Sequence, residues 1–190
     1  MPSRRTLIPL AALAAAALGF SSPHAASSHQ PYAGQQQRSI KALSADDIDG
    51  YLNGRGMGFA KSAELNHYPG PLHLRQLASD IALTAAQLAA IAPIEAAMKT
   101  EAKRLGRIIL AKEQSLDALF ADGRAKMEAV RRATVEIGRL RGELRAVHLR
   151  AHLQVRPLLS RHQIVMYDRL RGYASGGAKG AGGHRHHGKH

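Results

Sequence analysis

His148 and His152 stand four residues apart, a spacing that puts two imidazoles on one face of a helix and lets them share a cation. Glu95 interrupts an otherwise apolar stripe upstream, a costly place for a carboxylate unless a partner meets it. Glu95 lies 28 residues before Gly123 and Ala151 lies 28 after it, so a hairpin turning at Asp122-Gly123 brings Glu95 level with His148. His73, on the preceding helix, is placed to add a further ligand. Imidazole plus carboxylate suits zinc, nickel or cobalt, with geometry and availability deciding among them. The competing expectation is that Glu95 pairs with a neighbouring arginine and the histidines are partly buried helix-face residues. His184, His186, His187 and His190 form a separate, auxiliary metal-binding tail, or a merely soluble basic one.

Catalytic chemistry finds no foothold. The chain has no cysteine, no GxSxG, no HExxH and no carboxylate pair with an evident pocket, so it reads as a non-enzyme that requires no cofactor. The glycines of Gly54-Arg55-Gly56-Met57-Gly58 imitate a phosphate loop, but no strand precedes them and no GKS/T follows.

The elements that must position these residues are helical. Arg4 and Arg5, the apolar run Leu7 to Phe20 and the small residues beyond form a signal peptide over residues 1–26, so the chain is expected to be exported to the periplasm. A polar, flexible leader over 27–43 follows, then a helical domain over 44–173 and a Gly/His-rich tail over 174–190. Ser44-Ala45-Asp46-Asp47 caps a short helix. Pro71 suits the first position of a helix that runs to about Asp80 and presents Leu72, Leu77, Ala78 and Ile81 to a core.

A long helix follows from Thr84 to about Ala121, its stripe stepping by three and four through Leu88, Ile91, position 95, Met98, Ala102, Leu105, Ile109, position 112, Leu116 and Leu119. Pro93 lies inside it and is expected to kink rather than end it. A second long helix from about Arg124 to Arg156 carries a stripe at Met127, Val130, Thr134, Ile137, Leu140, Leu144, Val147 and Ala151. Each spans roughly 50 Å. The expected fold is therefore all-α: a long antiparallel hairpin flanked by two shorter helices, forming a homodimer because the short helices cannot cover its apolar stripe.

One pattern occurs twice. Leu83-Thr84-Ala85-Ala86-Gln87 and Leu159-Ser160-Arg161-His162-Gln163 each place a hydroxyl N-cap three residues before a glutamine that can reach back to it, the two copies 76 residues apart. On these motifs, the hairpin, the signal peptide, the segment Ala63 to Pro71 and the Arg-Leu-Arg-Gly-Tyr run ending at Tyr173, the chain resembles the LTxxQ family of periplasmic proteins. That family includes Spy and CpxP and the metal-associated ZraP and CnrX. The resemblance implies a cradle-shaped all-α dimer. With the first motifs aligned, Glu95 falls at the glutamate of the CnrX-type metal site.

Two functions follow. The formal charge of +13, about +11 without Arg4 and Arg5, points to acidic partners, and export turns that away from nucleic acid. The first reading is an ATP-independent holdase that captures unfolded periplasmic proteins on a basic, partly apolar helical face. Its cations are Lys99, Lys103, Arg104, Arg107, Arg131, Arg132, Arg139, Arg141 and Arg145. The alternative is a heavy-metal binding or sensing protein built on His73, Glu95, His148 and His152. The resemblance adds a sensor kinase or an anti-sigma factor as a further partner.

Overall fold

The computed structural model describes residues 30–174. They fall into two units divided after Ala33; the first contributes only the turn over residues 30–33, and the account below concerns the second. The expected signal peptide and the tail histidines His184, His186, His187 and His190 lie outside the described residues. The described chain is all-α, with helices α1 (Ala45–Asn53), α2 (Lys61–Glu64), α3 (Pro71–Gln76), α4 (Ala85–Ala121), α5 (Met127–Val155) and α6 (Arg161–Leu170), and no strand. None of these helices is long and apolar enough to cross a membrane.

Helices α1, α4 and α6 start at side-chain caps, whereas α5 follows Lys126 with none. Ser44, Thr84 and Ser160 all form complete capping boxes, with Asp47, Gln87 and Gln163 as the returning side chains. Hydrogen bonds from Ser44 hold the Asp47 carboxyl below its ordinary range. Pro93 sits inside α4 without ending it.

The two repeated motifs meet in space. Gln87 Nε2 donates to Gln163 Oε1 and Gln163 Nε2 donates to Gln87 Oε1, both at 2.9 Å. Each amide oxygen also accepts from its own cap, Thr84 N or Ser160 N, at 2.9 Å. The remaining amide protons go to the carbonyls of Leu158 (2.8 Å) and Ala82 (3.2 Å). Every donor and acceptor of both amides is used, so the helix-start residues of α4 and α6 also lock those two starts together.

α4 and α5, joined by residues 122–126, make the most extensive helix–helix contact among the described residues. Ala102, Leu105, Ile109 and Leu110 pack with Leu140, Leu144 and Tyr51 in one core cluster. A second cluster gathers Leu74, Ile81, Ile91, Val155 and Tyr167. α1 lies so close to α4 that a Cβ at Gly106 would fall 2.2 Å from the Tyr51 carbonyl oxygen. Only glycine fits there, which explains a residue that otherwise weakens a helix interior.

Several expectations shift. The leader placed at 27–43 is not wholly detached, because Ile40 and Leu43 are buried in the first cluster. α3 stops at Gln76 rather than Asp80, and the chain turns through Ala82 at φ 50 before the Thr84 cap. Leu74, fully buried, takes the core position expected of Leu72, which is 40% exposed. α5 begins at Met127 rather than Arg124, and Met127 itself is 79% exposed. The α5 stripe packs only from Ile137 onward; Thr134 bonds to its own helix's carbonyls instead.

Candidate functional site

A buried carboxylate, that of Glu64 at the end of α2 and 8% exposed, collects partners from several segments. Its Oε1 accepts from the Tyr167 hydroxyl (2.5 Å), the Tyr173 hydroxyl (3.2 Å) and Arg171 Nε (3.3 Å). His73 Nδ1 lies 3.3 Å from the same oxygen, and His152 Nδ1 lies 3.8 Å from Oε2. Burial alone would raise the Glu64 carboxyl, but hydrogen bonds from His73 and Tyr167, with the charges of His73 and His152, bring it down to about 2. Burial and the Glu64 charge push the Tyr167 phenol the other way, upward.

Local sequence builds this cluster. Gly70 precedes α3 where a Cβ would stand 2.8 Å from His152 Cε1, so glycine makes room for the imidazole. His152 Nδ1 donates to the Tyr68 carbonyl at 2.7 Å, which fixes the ring and its tautomer. After α6, Gly172 adopts φ 74 and the Tyr173 amide bonds back to Asp168 O (2.7 Å), turning the chain so that the Tyr173 side chain returns to Glu64.

The four residues expected to bind a metal separate into three environments. His73 and His152 meet a carboxylate, but that carboxylate is Glu64. Glu95 is held in a two-pronged pair by Arg75, with Nε to Oε2 at 2.9 Å and Nη2 to Oε1 at 3.1 Å. The buried acid thus has the arginine partner that its position demanded. His148, 3% exposed, stacks on Phe59 with ring centroids 5.9 Å apart, and its Nε2 has no partner. Among the described residues no three His, Asp or Glu side chains are arranged to hold a metal ion.

The nine basic residues divide as well. Arg104 pairs with Glu101, Arg131 and Arg132 with Glu128, Arg139 with Glu136 and Glu143, and Arg141 approaches the buried Glu113 at 4.0 Å. Lys99, Lys103, Arg107 and Arg145 have no ion-pair partner among the described residues. The first three are spaced by four and form one stripe along α4.

Glu64, Tyr167, Arg171 and Tyr173 escaped the sequence reading of the site. Glu64, Arg171 and Tyr173 fall in the two short segments, Ala63 to Pro71 and Arg169 to Tyr173, that stood out beside the paired motifs, and Tyr167 lies two residues before the second, but nothing in the sequence joins them into one site. No protein-family model, curated protein or solved structure matches the chain.

Burial, and secondarily the charge of His152, lowers the His148 imidazole from 6.5 to about 4. The unfolded chain therefore takes up a proton at this residue near pH 6.5 that the folded chain refuses until about pH 4. Stability conferred by neutral His148 is complete above pH 6.5 and is lost as pH falls through that window. Denaturant titrations of H148F are expected to lose about 1.4 kcal/mol per pH unit of slope between pH 6 and 4.5 relative to the wild type, one proton's worth. An identical slope in the two proteins contradicts the assignment.

Proposed function

We propose that the chain is a Spy/CpxP-like stress protein of the LTxxQ family, an ATP-independent periplasmic holdase exported by a cleaved signal peptide. The observation that carries this reading is the coexistence of unpaired cations with large exposed apolar side chains. Phe120, Met127, Val135 and Leu153 are all more than half exposed, while Lys99, Lys103, Arg107 and Arg145 have no carboxylate partner among the described residues. Charge accelerates encounter with an acidic unfolded chain, and scattered apolar contacts hold it weakly and reversibly. The reciprocal bonding of Gln87 and Gln163 supports the family assignment, because it gives both motif copies one shared job.

In this reading α4 and α5 form a long antiparallel hairpin flanked by the shorter helices, and two copies make a homodimer. Opposite charges that act on each other from the two helices run in reverse chain order, Glu101 with Arg150, Arg104 with Glu143, and Lys112 with Glu136, as an antiparallel pair requires. A sensor kinase or anti-sigma factor is a further partner of this class. Nucleic acid is not, and no reaction is catalysed.

Light scattering of an aggregating client tests the holdase reading. Wild-type chain at stoichiometric amounts should suppress aggregation. Changing Lys99, Lys103 and Arg107 to Gln should slow capture roughly threefold to tenfold at low salt. The same change at Arg131, Arg132 and Arg139, already neutralised by glutamates, should do less. No suppression by the wild type rejects the reading.

A second reading, binding of zinc, nickel or cobalt, is favoured by one observation. His148 Nε2 is a buried nitrogen without a partner, and His152 is oriented through Nδ1 in the manner of a ligand whose other nitrogen is free. Isothermal titration with zinc or nickel should then show affinity that H148A loses. A curve unchanged by that substitution removes His148 from any metal site.

A further inference from the structure

Beside the loop that links α2 to α3, the start of α6 borders an open recess of about 430 Å³. Leu159, Ile164 and Val165 supply an aliphatic wall, and Arg156, Arg161 and His67 supply nitrogen donors. The loop is held in shape. His67 adopts φ 65, its carbonyl accepts from Arg156 Nε at 3.2 Å, and the Arg156 guanidinium lies 4.9 Å from the Tyr68 ring centroid.

Neither of those contacts neutralises Arg156, and Arg161 has no carboxylate partner among the described residues. Asp168, the acid that borders the recess, is 6% exposed and accepts from His67 Nδ1 at 2.6 Å. His67 meets Oδ2 of that carboxylate, while its buried Oδ1 has no hydrogen-bond partner and neither arginine reaches it. Asp168 is the one acid in the lining, and neither Arg156 nor Arg161 forms an ion pair with it, so the lining carries two guanidinium groups against a single buried carboxylate.

We propose that this recess binds a carboxylate at the end of an apolar chain. Arg156 and Arg161 would hold the two oxygens, and Leu159, Ile164 and Val165 would cover the aliphatic part. The planar fork of a guanidinium matches a carboxylate in shape and charge. The buried Asp168 disfavours a dianionic head such as a phosphate monoester. The volume lies at the lower end of the range for small-ligand sites. Two sources share this chemistry: the C-terminal end of a polypeptide with apolar last residues, and a medium-chain fatty acid. The inference does not rest on the holdase reading, since none of the cations invoked there lines the recess.

Isotope-labelled full-length chain titrated with acetyl-Leu-Leu and with octanoate, followed by amide chemical shifts, tests this. The C-terminal amide of the dipeptide and octanol are the neutral counterparts. At least one carboxylate should bind about tenfold tighter than its neutral counterpart and shift amides at the start of α6. R161Q, a substitution at an exposed position whose retained fold far-UV circular dichroism checks, should lose about tenfold in affinity, whereas R131Q should lose none. Binding of the dipeptide alone assigns a chain end, and binding of octanoate alone assigns a fatty acid. Absence of binding by both, equal binding of the neutral counterparts, or full affinity in R161Q overturns the proposal.

Discussion

A carboxylate taken out of water costs several kcal/mol unless donors replace the water around it, and at Glu64 those donors come from every neighbouring segment. His73 belongs to α3, Tyr167 to α6, and Arg171 and Tyr173 to the turn that follows, while His152 of α5, whose Nδ1 donates to the Tyr68 carbonyl, stands 3.8 Å from Oε2. A short helix such as α2 has little propensity of its own. It is held by the charge at its end, and the segments around it are held by that same charge. Gly70 and Gly172 answer to this requirement, one clearing space for His152 and the other bending Tyr173 back.

The Gln87–Gln163 amide pair fixes the opposite end of α6. That helix is thus clamped at its start by an amide network and at its finish by the Glu64 network, over only ten residues. The far end of α4 and the beginning of α5 carry no such clamp. There Phe120, Met127 and Val135 stay exposed among charged side chains. The bonded networks thus gather at one end of these helices, and exposed apolar side chains at the other.

Much of this was legible in the sequence because local chemistry set it. The capping boxes marked the starts of α1, α4 and α6, and the three-four apolar stepping carried α4 past Pro93 to Ala121. The Glu64 site was not legible, because α2 is too short to show periodicity and Tyr167, Arg171 and Tyr173, which donate to Glu64, lie 103, 107 and 109 residues away. Periodicity reports which face is buried, not which distant side chain arrives there. Glu95 makes the same point from the other side: its burial demanded a partner, and the chain supplied Arg75 from 20 residues upstream rather than a metal shared with His148. The register of α3 failed for a related reason. The helix ends at Gln76, and the turns that follow pass through Ala82 in a left-handed conformation before the next cap, a place for which alanine carries no sequence signal.

The central claim is that the Glu64 charge, not merely its shape, holds these segments together. Guanidinium denaturation of E64Q at pH 7 measures this most directly, since glutamine preserves the volume and removes the charge. The account predicts a loss of about 3 kcal/mol, with local exchange of the amides around residues 64–76 and 167–173 rising together. Wild-type stability with unchanged protection in both segments would contradict it.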